Sequence, residues 1–205
     1  SFNLKEDFLQ DNELQATIAP SVPYQILDHL VQRSILTSEY GIKLYNVYSE
    51  SRYGKPSCQS TSHPFLSWST AQSMVTLVHL RESLGINIFE SDLSDHLVID
   101  FGGGYGNLSR LLLSLNNQNQ VAIVDIPNML EIQKHYLSKT CPYHCMDQVN
   151  FFESNPNGWR HLLEKFPNKI KHFNATYSLS ECTEDVIFQA EENLVRHCNS
   201  IFLVF

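Results

Sequence analysis

No stretch of this sequence is apolar for long enough to cross a membrane, and no basic-then-apolar leader opens it. Basic residues are scarce: 14 Lys+Arg stand against 22 Asp+Glu, a formal net charge of -8. Binding along a nucleic-acid backbone needs a basic face, so nucleic acid is not expected as a partner. The five cysteines, Cys58, Cys141, Cys145, Cys182 and Cys198, are odd in number and lack the spacing of a disulfide framework. That predicts a reducing, cytoplasmic setting. Cys141 and Cys145 bracket His144, with His135 nearby, but no C-x-x-C pair and no second half-site accompany them, so no metal is expected. Repeats and low-complexity tracts are also missing. The first residue is Ser1 rather than Met, which reads as a trimmed or partial chain.

Glycine is sparse as well, and half of it sits in one place. Four of the eight glycines fall at 102, 103, 104 and 106, in Val98-Ile99-Asp100-Phe101-Gly102-Gly103-Gly104-Tyr105-Gly106. An apolar run leads into Asp100, and Asn107–Leu113 follows with helical spacing of its leucines. Strand, glycine turn and helix in that order make a ligand-cradling βα unit. The spacing discriminates between ligands. A dinucleotide turn wants glycines at its first, third and sixth positions, but from Gly102 the sixth is Asn107 and from Gly104 it is Ser109. No Gly-Lys-Ser/Thr follows, which excludes a phosphate-binding P-loop. What remains is acid-x-Gly-x-Gly-x-Gly, carried by Asp100, Gly102, Gly104 and Gly106.

The rest of the chain divides near residue 91. Residues 1–90 read mainly helical: a short first helix broken by Pro20 and Pro23, an apolar stripe over Tyr24–Leu36, a turn over Thr37–Lys43, an ordered polar and aromatic loop over 44–67, and a helix from Ser67 to Leu84 stopped by Gly85. From His96 the pattern alternates strand and helix, the signature of a parallel α/β sheet. Strands are predicted at His96–Phe101, Gln120–Asp125, Val149–Glu153, His172–Ser178 and Ser200–Phe205. Helices are predicted at Asn107–Leu115, Asn128–Lys139, Asn157–Phe166 and Thr183–His197.

The acid-and-glycine pattern resembles the first motif of class I S-adenosylmethionine (SAM)-dependent methyltransferases. That resemblance implies a Rossmann-like sheet, SAM as cofactor and methyl transfer as the reaction. It also leaves one helix and two strands of the family's sheet unaccounted for after residue 205, so residues 91–205 read as a C-terminally incomplete SAM-binding domain behind an N-terminal helical region, 1–90. SAM has no phosphate to seat, and its amino-acid end carries an ammonium and a carboxylate that backbone N–H groups and a nearby acid can answer. The longer run Gly-Gly-Gly-Tyr-Gly-Asn-Leu, then Ile-Val-Asp-Ile-Pro-Asn-Met-Leu-Glu-Ile-Gln-Lys-His-Tyr-Leu-Ser, then Tyr-Ser-Leu-Ser-Glu-Cys, looks like the sugar O-methyltransferase family of bacterial surface-polysaccharide and antibiotic pathways. This likeness covers residues 97–205 well and the N-terminal helices loosely, through Arg52–Pro56. It implies a hydroxyl of a sugar as the acceptor.

Ligands of open α/β sheets sit beyond the carboxyl ends of the strands, so the strand ends supply the remaining candidates. Asp125 closes the second strand about 20 residues past the turn, where an acid accepts both ribose hydroxyls; the alternative is an acid favoured by the helix start at Pro127. Ile126 is placed to pack on adenine. Phe152 and Glu153 suit adenine too, although Phe151 and Phe152 read equally well as strand core. Tyr177 and Ser178 at the end of the fourth strand, and Glu181 just after it, are placed to touch the methionine end or the acceptor; Glu181 reads alternatively as a helix-start acid with Ser180 as its cap. Methyl transfer to a hydroxyl benefits from a general base. Glu181 and His63 are the candidates, His63 because the polar loop can fold over the sheet edge. His96 and His172 start strands, at the wrong end. Two rivals remain: a small-molecule or polyketide O-methyltransferase with a helical dimerisation arm, and a non-catalytic SAM-fold module of a larger protein. A homo-oligomer through the N-terminal helices is also expected.

Overall fold

The computed structural model describes residues 6–10, 14, 18, 22–58, 62–89 and 93–204, without the side chains of Tyr143 and His144. Of the short first helix expected before Pro20, the described residues include a 3-10 turn, Phe8–Gln10, and most of the remainder lies outside them. The chain forms two compact units, Ser1–Asn87 and Ile88–Phe205.

The first unit is helical. Helix α1 (Tyr24–Leu30) runs on into a wide π turn, Val31–Ile35, and is followed by α2 (Glu39–Val47) and α3 (Trp68–Leu84). Leu27, Val31, Ile35, Leu44, Met74 and Leu77 are buried. Helix α2 corrects the turn expected over Thr37–Lys43, and the loop expected from residue 44 starts only after Val47. Two residues explain the helix. Ser38 caps it, its side chain accepting from the Gly41 N–H. Gly41, which reads as a turn residue in sequence, is instead where the helix passes the Ile35 carbonyl; a Cβ there would overlap that oxygen. Helix α3 keeps its expected bounds, with Ser67 accepting from the Thr70 N–H at one end and Gly85 at φ 72° at the other.

The second unit is a five-stranded, wholly parallel sheet in the order β3-β2-β1-β4-β5. Its strands are β1 (His96–Phe101), β2 (Val121–Asp125), β3 (Val149–Glu153), β4 (Ile170–Thr176) and β5 (Ser200–Val204), alternating with α4 (Asn107–Leu115), α5 (Pro127–Thr140), α6 (Pro156–Lys165) and α7 (Glu184–Asn193). This is the Rossmann-like fold expected from the alternation of elements. The fourth strand begins and ends two residues before its expected bounds. Leu97, Ile99, Phe101, Ala122, Val124, Phe152, Phe173 and Ala175 face one way, into a core shared with Trp159 and Leu162 of α6 and Ala190 of α7. Fully burying side chains of this size contributes about 1.5–3 kcal/mol each. Alternation then turns Val98, Asp100 and Asn174 to the opposite face, where Ser109 of α4 reaches Asp100. Both faces are therefore covered, as a parallel sheet requires. The strand order reverses between β1 and β4, which puts the crevice for a ligand at the carboxyl ends of these two strands.

His96 and His172 lie away from that edge: Nδ1 of His96 and Nε2 of His172 are 2.8 Å apart, and His172 Nδ1 meets Ser200 Oγ at 2.8 Å. Burial and the neighbouring His96 push His172 down to about 4, so it is neutral at physiological pH. No helix among the described residues is long and apolar enough to cross a membrane.

Candidate functional site

The turn after β1 is built by backbone conformations that side chains resist. Gly102, Gly104 and Gly106 stand at φ 66°, 56° and 96°. The Gly102 N–H donates to the Val124 carbonyl (2.9 Å), carrying the β1–β2 pairing one residue into the turn; the Gly104 and Gly106 N–H groups donate back to Gly102 and Gly103 (2.8 Å each). Gly106 is the N-cap of α4, whose first-turn N–H groups therefore point towards the turn.

Two glycines are also fixed by what touches them. A Cβ on Gly102 would overlap the Ser178 Cβ, and the Ser178 hydroxyl donates to the Phe101 carbonyl (2.5 Å). The segment after β4 thus closes directly on the turn. A Cβ on Gly103 would sit 2.7 Å from Asp100 Oδ2. Asp100 lies under the turn, 3% exposed, accepting from Asn174 Nδ2 (3.1 Å) and Ser109 Oγ (3.4 Å). Burial pushes its carboxyl up to about 6; the two hydrogen bonds pull it down, and the Asp125 carboxylate pushes it up.

Helix α5 braces the other side, one residue to one residue. Gln133 donates from Nε2 to the Gly104 carbonyl (2.9 Å). The Tyr136 ring meets Tyr105 edge-on, centroids 4.9 Å apart. A Cβ on Gly106 would lie 3.4 Å from Leu137 Cγ. Positions i, i+3 and i+4 of a helix share a face, and here that face reads turn residues 104, 105 and 106 in order.

Asp125 ends β2 beside this face. Its Oδ1 accepts from the Ile126 N–H (2.8 Å) and its Oδ2 from Gln133 Nε2 (2.6 Å). Burial raises its carboxyl above the usual range, and these two bonds oppose the rise. An ionised carboxylate offers about four acceptor positions, so about two remain for a ligand diol. Ile126 is 57% exposed next to it. Glu153, in register with Asp125 on β3, is exposed and accepts from Asn155 Nδ2 (2.9 Å). Phe152 is corrected: it is 5% exposed in the sheet–α6 core, where it packs against His161 and Phe166, because strand alternation turns it away from the face that Phe151 shares with Lys134.

Beyond β4, Tyr177 stands at φ 63°, a left-handed conformation that costs a non-glycine residue about 1–2 kcal/mol. Its side chain is 41% exposed, and its N–H donates to Val204 of β5 (2.8 Å). Glu181 is exposed at the end of a short 3-10 turn, Leu179–Glu181. Ser180 is not a cap for it: the Ser180 hydroxyl donates to the Tyr177 carbonyl (2.6 Å), and α7 starts only at Glu184.

His63 belongs to the first unit and is engaged there. Its Nδ1 lies 2.6 Å from the Tyr45 hydroxyl, and its Nε2 is 3.9 Å from Asp28 Oδ1. Among the described residues no group of three or more His, Cys, Asp or Glu is placed to hold a metal ion.

The structure thus brings Asp100, the glycine turn, Asp125, Ile126, Tyr177, Ser178 and Glu181 to the carboxyl edge of the sheet. Gln133 and Asn174 were not foreseen from sequence. Asn174 carried little signal, because its strand, Ile-Lys-His-Phe-Asn-Ala-Thr, is already half polar; Gln133 carried only its place in the run that bears the family likeness.

No protein-family model and no curated protein matches the sequence. Solved structures resemble it at low identity. A glycopeptide N-methyltransferase complexed with sinefungin is 12% identical, with a TM-score of 0.45 over 90% of this chain and 62% of its own. An O-methyltransferase family protein from Burkholderia thailandensis is 14% identical, with a TM-score of 0.40 over 66% of this chain and 40% of its own. Mitomycin 7-O-methyltransferase is 14% identical, with a TM-score of 0.41 over 97% of this chain and 60% of its own. The chain therefore spans less than two thirds of the length of each of these three.

Proposed function

We propose that the chain binds S-adenosylmethionine across the glycine turn and transfers a methyl group to a hydroxyl of a sugar or sugar-containing metabolite. The observation that carries the cofactor is the joining of two features by one side chain: the left-handed glycine turn above Asp100, and the Asp125 carboxylate held beside it through Gln133. The residues present fit the group. Asp125 keeps acceptor capacity for the ribose hydroxyls. Ile126 offers an exposed apolar surface for adenine. Gly102 and Gly103 let the turn close on Ser178 and on Asp100, and Asp100 and Glu181 add negative charge for an ammonium and a sulfonium. When bound, SAM supplies an electrophilic methyl on a neutral leaving group.

The protein's own part is alignment and proton removal. Ser178 locks the β4 segment onto Gly102, which fixes Tyr177 and the path towards Glu181 relative to the turn. Glu181 is the preferred general base for the acceptor hydroxyl, since it is exposed on this edge, whereas both His63 nitrogens face partners in the first unit. The sugar acceptor rests on the sequence resemblance alone. Exposed Ile26, Ile42 and Val47 on α1 and α2 support a homo-oligomer through the N-terminal helices, and five free cysteines suit a cytoplasmic setting.

Calorimetry with S-adenosylhomocysteine tests the cofactor. The wild-type protein is expected to bind, and Asp125→Ala to bind at least about tenfold more weakly, roughly 1.4 kcal/mol; a wild type that does not bind at millimolar ligand overturns the reading. Labelled-methyl transfer to a panel of sugars and phenols then separates a sugar acceptor from an aromatic one, and binding without turnover on any acceptor points to a non-catalytic module.

A further inference from the structure

Gln133 is a buried amide with an unusual distribution of bonds. The side chain is fully buried. Its single nitrogen donates both protons, one to the Gly104 carbonyl and one to Asp125 Oδ2. Its oxygen, also buried, has no hydrogen-bond partner among the described residues. The two acceptors fix which end of the amide is nitrogen, because an oxygen there would face two oxygens. An unpaired buried carbonyl is a cost, so stability by itself favours an apolar residue of the same size at this place. What an apolar residue cannot do is tie two separate pieces of backbone, the end of β2 and the turn after β1, through one planar group.

We infer that Gln133 is a positioning residue that fixes the Asp125 carboxylate to the glycine turn, so that ribose recognition and the cradle under the amino-acid end of the cofactor hold one geometry. This rests on the proposed cofactor reading, but its local half, the tie between Gln133 and Asp125, is testable without any ligand. Gln133 makes no claim to touch the reacting atoms; it acts through Asp125 and the Gly104 carbonyl. Asp125 is approached by other groups as well: Asp100 from β1, Glu153 from β3, Cys182 from the segment after β4 and the Ile126 N–H from the start of α5.

The test compares wild type with Gln133→Met, which keeps length and volume without a donor, and Gln133→Glu, which keeps shape but turns the facing group acidic. Carbon NMR of labelled aspartate carboxyls in the free protein follows Asp125 directly. Removing a donor to the ionised form is expected to move its midpoint to higher pH in Gln133→Met, while the Asp100 midpoint, raised chiefly by burial and only secondarily by the Asp125 carboxylate, moves less. Binding of S-adenosylhomocysteine is expected to fall about tenfold at pH 7.5 in Gln133→Met. In Gln133→Glu it is expected to improve as pH is lowered, when the substituted carboxyl regains a proton to donate. Unchanged Asp125 titration in both variants overturns the inference, as does loss of binding that merely parallels loss of thermal stability. A wild type that ignores the ligand, with Asp125 still shifted in Gln133→Met, sinks the cofactor reading and leaves the tie standing.

Discussion

Asp100 is buried as a carboxylate, and among the described residues its hydrogen-bond partners are neutral. Its hydrogen bonds from Asn174 and Ser109 offset part of the desolvation, and the neighbouring Asp125 adds to it, leaving the group at about 6. The consequence for stability has a definite sign. The folded pKa is raised, so between about pH 4 and pH 6 the folded protein keeps a proton that the unfolded chain has released. Folding stability therefore falls as pH rises through that window and is level above it. A shift from 3.8 to about 6 amounts to about 3 kcal/mol. Asp100→Asn removes the ionisation while keeping an oxygen to accept from Asn174. Urea denaturation at pH 4 and pH 7 is expected to show the variant losing about 2 kcal/mol less than wild type between the two, since part of the shift already falls below pH 4. Equal losses would show that Asp100 titrates in its ordinary range. The same substitution is expected to weaken cofactor binding, so stability and function pull in opposite directions at this residue.

Elements in this protein end in two physically different ways. Helix α3 ends on Gly85, which is left-handed with nothing within 4 Å of where a Cβ would be. Strand β1 ends on Gly102, which is left-handed and pressed against Ser178. Alanine at the first site meets only the backbone cost, about 1 kcal/mol. Alanine at the second adds an overlap with a side chain whose hydroxyl is already bonded to Phe101, for a total on the order of 3 kcal/mol. Thermal melts of Gly85→Ala and Gly102→Ala should therefore differ severalfold in loss of stability, and similar losses would mean that the β4 segment yields easily. The same contrast explains what could be read from sequence. Gly85 after an apolar helix, and glycines after an apolar strand, announce their elements. Helix α2 did not announce itself, because Gly41 owes its identity to the Ile35 carbonyl, and Ile35 belongs to the preceding π turn.

On the scale of the whole molecule, the sheet has, among the described residues, one edge strand with little protection. Among the described residues β5 pairs only with β4, and Ser200–Val204 contains no charge and no proline. Ile201 and Leu203 are 51% and 39% exposed. Such an edge is a template for further strand pairing, and the formal net charge of -8 opposes it only while the acids are ionised. Light scattering is expected to rise as pH falls towards the sequence pI of about 5.5, and Ile201→Lys is expected to suppress that rise; scattering that ignores both would show the edge to be harmless. The sheet itself was legible because its strands alternate with helices in simple hydrophobic periods. The candidate site was legible where strands end, at Asp100, 102–106, Asp125 and Ile126, and in the segment Tyr177–Glu181 after β4. The interior ties, Gln133 and Asn174, depend on which way buried polar groups turn, which no period encodes. The face of α5 that meets residues 104, 105 and 106 has one more consequence, for the lengths of chain rather than for their chemistry. Gln133 lies 8 residues beyond Asp125, and each helical residue turns the face by about 100°. Point changes along α5 remove partners one at a time, whereas one residue inserted or deleted between Pro127 and Gln133 rotates the amide, the ring and the leucine off the turn together. Substitutions in this stretch should grade in severity, and changes of length should not.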